Sequence, residues 1–184
     1  MDEVQPGDEL VAAFVQWAAS DRAATAAENR ARERWLRDEA SSSANWRGIL
    51  VDLAEHATTV VVASGGHKCS GRVVCVARDF CVLQQPDGRP ALLPLAAMSA
   101  LWPEPAAGGT SVGDRAPDLA LSFVGALAAL AEDRIPVALT LDDGVGLVGR
   151  VVSVGDDVIT LRTEGTHRRF AHVRLACVTC CEVR

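Results

Sequence analysis

The chain has no Tyr, two Met and only 4% aromatic residues in 184. Lys68 is its single lysine, so the basic side chains are nearly all Arg. The formal net charge is −6. That balance does not favour a protein that coats nucleic acid by bulk electrostatics, which needs clustered cations against phosphate. No apolar run is long enough to span a bilayer, the longest lying near Leu119–Ala131. Asp2-Glu3-Val4-Gln5-Pro6 is acidic and lacks the apolar centre of a signal peptide. Also missing are a nucleophile elbow, a phosphate loop, a dinucleotide fingerprint and a His-Glu-x-x-His pair. Gly144-Val145-Gly146-Leu147-Val148-Gly149 has glycine-loop spacing, but it falls between two expected strands with no helix after it. These absences argue against an enzyme. No catalytic residue, cofactor, metal or small-molecule substrate is expected.

What is present favours a folded chain. Hydrophobic residues make up 49% and charged residues 23%, outside the range of disordered composition. Six Cys without an export signal fit reduced thiols and a cytoplasmic setting. Charge is unevenly spread: residues 1–44 hold five Arg against nine acids, residues 57–102 four basic residues against two acids, and residues 137–184 six against six. The acidity therefore lies mostly outside the strand-rich regions.

Residues 1–44 read as an N-terminal helical segment. Asp8 can cap a first helix bearing Leu10, Phe14 and Trp17, and Arg22–Glu39 is rich in helix formers with ion-pair spacings such as Glu28–Arg32 and Glu33–Arg37. Ser41-Ser42-Ser43 breaks the pattern, and Asn45 can cap the next helix.

Beyond residue 44 the sequence repeats. Trp46, Ile49, Leu50 and Leu53 hold positions i, i+3, i+4, i+7, and so do Phe123, Ala126, Leu127 and Leu130, 77 residues on. One inserted residue later, Gly71-Arg72-Val73-Val74 matches Gly149-Arg150-Val151-Val152, Asp79 matches Asp157, and Leu83 matches Leu161. Each copy predicts five short strands: Val60–Ala63, Gly71–Ala77, Phe80–Gln84, Ala91–Leu95 and Ser99–Trp102, then Val137–Leu141, Gly149–Gly155, Val158–Arg162, Arg169–Val173 and Val178–Val183. Pro86-Asp87-Gly88 and Glu164-Gly165-Thr166 predict turns. The resulting division is 1–44 helical segment, 45–102 first unit, 103–117 linker and 118–184 second unit.

A helix followed by five short strands, with the run Gly144–Gly155 and then Asp157-Val158-Ile159-Thr160-Leu161, resembles the Sm and LSm family, which includes the bacterial RNA chaperone Hfq. The resemblance implies an α+β, mainly β fold: two tandem helix-plus-five-stranded Sm-like barrels. It also implies association through the edges of the fourth and fifth strands. The family's base-reading residues do not carry over. Its Asp position holds Ala77 and Gly155, its stacking position Asp79 and Asp157, and its Asn position Cys81 and Ile159. A carboxylate cannot stack on a base, and it repels phosphate.

Candidate sites follow from the residues. His167, Arg168, Arg169 and Arg174, with His172, form the main basic patch, suited to phosphate or an acidic partner. Lys68 and Arg72, with Arg78 and Arg89, form a weaker one. Asp79 and Asp157 are expected to accept backbone N–H bonds in their own turns. Cys177, Cys180 and Cys181 have zinc-like spacing but no second pair, so they read as small apolar strand residues. The function expected is a binding or assembly protein engaging a protein partner or itself, with RNA regulation through the Arg-bearing surfaces as the alternative.

Overall fold

The computed structural model describes residues 16–17, 20, 22–23, 25–36, 39, 45–104, 119–164 and 169–184. The chain divides into two compact units, Met1–Ser43 and Ala44–Arg184. In the first, residues 25–36 are helical, and Trp17, Trp35 and Leu36 are exposed. The expected cap Asp8 and most of the linker, 105–117, lie outside the described residues.

In the second unit two helices open where their caps dictate. The Asn45 side chain accepts the Gly48 N–H (2.8 Å) and starts α1, Trp46–Glu55. The Ser122 hydroxyl accepts the Gly125 N–H (3.1 Å) and starts α2, Phe123–Glu132. Just past the cap of each helix, His56 and Asp133, the chain turns through a residue of positive φ, Ala57 (49°) and Arg134 (56°). There Thr58 N–H returns to Leu53 O (2.9 Å) and Ile135 N–H to Leu130 O (3.0 Å), the reverse turn that satisfies the last carbonyls. The apolar faces read from the sequence are the buried ones: Leu50 and Leu53 on α1, and Phe123, Ala126 and Leu127 on α2.

Ten strands follow the expected segments closely. They are β1 Thr59–Ser64, β2 His67–Val76, β3 Phe80–Gln84, β4 Pro90–Pro94, β5 Met98–Pro103, β6 Pro136–Leu141, β7 Gly146–Val154, β8 Val158–Thr163, β9 Phe170–Arg174 and β10 Val178–Val183. β2 and β7 begin earlier than expected, so Gly71 and Gly149 sit inside them rather than at their start. A Cβ at either would stand 2.6 or 2.4 Å from a carbonyl of the facing strand, Gln84 O or Arg162 O, so these strands cross at a distance only glycine permits. Register shifts between Val73 and Cys75 and between Val151 and Ser153 bend the same two strands.

The two closed Sm-like barrels expected from the resemblance are not formed. All ten strands make one open antiparallel sheet in the order β5-β1-β2-β3-β4-β10-β6-β7-β8-β9. Two tandem small barrels are thus the wrong description. The physical reason lies at the centre. β4 takes β10 as its second neighbour, pairing Leu92 with Cys181 and Ala91 with Glu182. Successive residues of β10 then enter different cores. Cys180 packs with Leu50, Val60, Val73 and Leu83, whereas Cys181 packs with Leu127, Leu139 and Leu161. A strand buried on both faces loses apolar–polar alternation, and Val178, Thr179, Cys180 and Cys181 are all buried.

A second seam joins the halves. Arg78 N–H donates to Leu121 O (3.2 Å), Ala77 bridges Leu119, and Phe80 lies against Phe123 with ring centroids 5.9 Å apart. The Asp79 carboxylate belongs here. Its Oδ1 accepts the Phe123 N–H (2.7 Å) at the first turn of α2, 44 residues away, and not a bond within its own turn. A carboxylate at a helix N-terminus also meets the positive end of the helix dipole. Asp157 is exposed, and its carbonyl accepts the Leu175 N–H (2.8 Å) as that of Asp79 accepts Leu95 N–H (2.9 Å).

Candidate functional site

Two features of the sheet stand out as surfaces for a partner. The first is its pair of ends. Each half has the strand order fifth, first, second, third, fourth, and the halves meet where the fourth strand of one pairs with the fifth of the other, β4 with β10. The remaining fifth strand, β5, and fourth strand, β9, end the sheet with one ladder each among the described residues. Unpaired strand edges are templates for a further strand. Each edge carries an exposed aromatic: Trp102 on β5 (48% exposed) and Phe170 on β9 (64%). Aromatics are enriched where proteins meet.

The direction of the free N–H groups follows from the bonds flanking β9. Thr163 N–H donates to Arg169 O (2.9 Å) and Leu175 N–H to Asp157 O (2.8 Å). Antiparallel bonding alternates along a strand, so Ala171 and Val173 face β8. Phe170, His172 and Arg174 then turn their N–H groups to the open edge. Leu92 of β4 holds the place that His172 holds in β9, and Leu92 is a partner of β10.

The second feature is a cationic row. Arg150 on β7 lies directly opposite Arg162 on β8, which lies opposite Phe170 on β9. Directly opposed residues point to the same face, and like charges so placed destabilise a sheet unless something neutralises them. Neither arginine makes an ion pair with a described residue. β7, β8 and β9 contain no Asp or Glu. A cleft of ≈ 370 Å³ runs from Arg134 at the end of α2 to Arg150 and Arg162, floored by Val151 and Val152. A smaller one beside it adds Thr163 and the carboxylate-bearing Glu164. In the other half the equivalent row is Arg72, Gln84 and Pro90, which does not concentrate charge.

The residues singled out from the sequence are distributed as follows. His167 and Arg168 lie outside the described residues. Arg169 precedes β9, where its backbone bonds Thr163, and Arg174 ends that strand, exposed. His172 lies on the same face, with Nδ1 3.1 Å from Thr160 Oγ1. His172 and Arg174 share the face of the arginine row, whereas Arg169, opposite Thr163 and one residue before Phe170, is in register with the other face. Lys68 and Arg72 are on β2 in the other half, and Lys68 Nζ sits 5.2 Å from the Trp102 ring centroid in a cation–π contact. Arg150, Arg162 and Phe170 were missed as a group. A plain count back from the β7–β8 turn would set Arg162 opposite Val151; only the register shift between Val151 and Ser153 brings Arg150 opposite Arg162, and nothing in the sequence marks that shift.

The cysteines do not converge on a metal: among the described residues no group of three His, Cys, Asp or Glu is placed to hold one. Cys180 Sγ and Cys69 Sγ lie 3.9 Å apart. Their contact, outweighing burial and the charge of Glu182, holds the Cys69 thiol below the usual range, and the same contact with burial pushes Cys180 up. Burial raises Cys81 and Cys181 to about 12.

Among the described residues no helix is long and apolar enough to cross a membrane. Comparison with protein-family models, curated proteins and solved structures finds no match to this chain, so the Sm/LSm resemblance gains no support from them.

Proposed function

We propose that this chain is a non-catalytic assembly protein whose partner is a further copy of itself, engaged edge to edge. The observation that carries the reading is the β4–β10 junction. The sheet already solves, within one chain, the problem of joining a fourth-strand edge to a fifth-strand edge. Among the described residues the same two kinds of edge lie unpaired at its ends, on β9 and β5. Transferred to a second copy, the junction's register pairs His172 with Leu101 and Ala171 with Trp102. Such a head-to-tail contact uses different surfaces on the two partners, so it builds closed rings or open filaments rather than an isolated dimer. A cytoplasmic setting, which keeps thiols reduced in the absence of oxidant, belongs to the same reading.

The test is His172→Pro. Proline removes an N–H that points out of the sheet and leaves the ladder to β8 intact, a substitution tolerated at edges. Light scattering across a concentration series is expected to give multimers for the unsubstituted chain and monomers for the variant, with little change in its thermal unfolding. A strict monomer at high concentration for the unsubstituted chain sinks the proposal.

A second reading is favoured by the arginine row: RNA held on the outer face of β7–β9 as a post-transcriptional regulator. Arg150 and Arg162 would meet phosphates, and Phe170 would offer a ring to a base. Arg150→Glu with Arg162→Glu is expected to weaken binding of a labelled single-stranded oligoribonucleotide by about tenfold or more and to flatten its salt dependence. Absence of any binding at low salt removes this reading and leaves the first untouched.

A further inference from the structure

We propose that Cys69 and Cys180 are a modification site: a reversible disulfide that fastens β10 to β2 across the junction between the halves of the sheet. The two residues are 111 apart in sequence, yet their sulfurs approach to 3.9 Å. A disulfide brings sulfurs to about 2.05 Å, so the bond asks for a closure of about 2 Å. The site is fixed from several sides. Ser64 Oγ donates to Thr179 O (2.9 Å), which holds the β1–β2 turn against β10 one residue before Cys180. Gln85 Nε2 meets Glu182 Oε1 (3.2 Å) two residues after it. The sulfurs therefore face each other across a packed seam and not on mobile surface.

The six thiols are not equivalent. Cys180 is only 2% exposed, whereas Cys69 is half-buried at the rim of the same core. An oxidant reaches Cys69 first, and Cys69 is also the thiol whose ionisation the pair favours. The thiolate is the nucleophile in such chemistry. Cys81 and Cys181, raised by burial, are held as inert thiols.

The step balances with hydrogen peroxide as oxidant. The Cys69 thiolate attacks the peroxide O–O bond, forming a sulfenic acid and releasing the first water after protonation. The Cys180 sulfur then attacks the sulfenic sulfur. The S–S bond forms, the S–O bond breaks, and the oxygen leaves as a second water with the Cys180 proton. Two thiols are oxidised and one peroxide is reduced. A dithiol reductant reverses the change.

The place of the bond gives it a consequence. The β4–β10 ladder has two register pairs, against four to six for the ladders within each half. The disulfide would strengthen the sheet where backbone pairing is sparsest.

The test uses the full reduced chain and a small excess of hydrogen peroxide. The thiol count in denaturant is expected to fall by two, and dithiothreitol is expected to restore it. A non-reducing tryptic map should join residues 69–72 to residues 175–184, and fragmentation should place the link on Cys180 rather than Cys177 or Cys181. Cys180→Ser should abolish the linked peptide and Cys181→Ser should keep it. An unchanged thiol count overturns the proposal, as does a link from Cys69 to any other cysteine. The map of the unsubstituted chain decides the matter even if a variant does not fold.

Discussion

Replacing Phe80 with alanine is expected to cost about 3–5 kcal/mol of folding stability, the range for emptying a well-packed phenylalanine site. Phe80 begins β3 in the first half of the sheet, and it is 1% exposed. It packs with Phe123, Leu127 and Leu139 of the second half. Truncation therefore opens a void at the seam between halves. Its ring stands 5.9 Å from that of Phe123 at an interplanar angle of 59°, a tilted contact of the kind that adds about 0.5–1.5 kcal/mol beyond buried area. Urea unfolding followed by circular dichroism reads the loss. Phe123→Ala and the double variant complete a cycle, in which the two losses should not add. A loss under about 1 kcal/mol for Phe80→Ala would mean that the site collapses and the seam is not tightly packed.

Gly65→Ala is expected to destabilise by about 2–5 kcal/mol, by two separable routes. Gly65 has φ +53°, where a Cβ crowds the following carbonyl at about 1–2 kcal/mol. A Cβ there would also stand 2.1 Å from Thr179 Cγ2 and 2.7 Å from Thr179 Cβ. Overpacking of that kind costs about 1–3 kcal/mol. The neighbouring Gly66→Ala isolates the first route. Its φ is +79°, and its added Cβ would meet nothing within 4 Å. Thermal unfolding of the two variants should thus differ by about 1–3 kcal/mol, the cost of pressing the β1–β2 turn into β10. Equal losses would show that Thr179 simply gives way.

How much of this could be read from sequence depended on how local the cause was. The helices were legible because Asn45 is a strong cap and the apolar residues of both recur at helical spacing; the Ser122 cap of the second emerged only in the structure. The strands were legible because Val60, Val62, Leu139 and their neighbours alternate with more exposed positions. Strand pairing across the centre was not, because β4–β10 is a contact between residues 89 apart, and nothing in either segment names the other. The resemblance supplied closed barrels in its place. β10 shows the difficulty in one segment. A strand buried on both faces has no alternation to reveal which core each side chain enters, and Cys180 and Cys181 enter different ones. Asp79 was read as a turn residue on register alone. The acceptor geometry that sends its carboxylate to Phe123 depends on where α2 docks.

For the surfaces the balance was similar. Arg169 and Arg174 could be found by charge, since they cluster in sequence. Arg150 and Arg162 are 12 residues apart, and each looks isolated until the β7–β8 register sets them side by side. Cys177, Cys180 and Cys181 were read as small apolar strand residues; Cys177 is half-buried, and Cys180 and Cys181 are buried. The proximity of Cys69 to Cys180 could not be seen, because it follows from the central strand pairing.

The shared strand also bears on the order in which the molecule forms. Cys180 completes a core that otherwise consists of residues from α1 and β1–β4 with their immediate neighbours. During synthesis those residues emerge well before β10 does. Chains generally fold domain by domain as they emerge, but here the earlier-made half waits, with part of its apolar interior uncovered, for a segment made more than eighty residues after β4. Such long sequence separations slow folding and lengthen exposure of unpaired edges. The junction that unifies the finished sheet is therefore also its most vulnerable interval in the making.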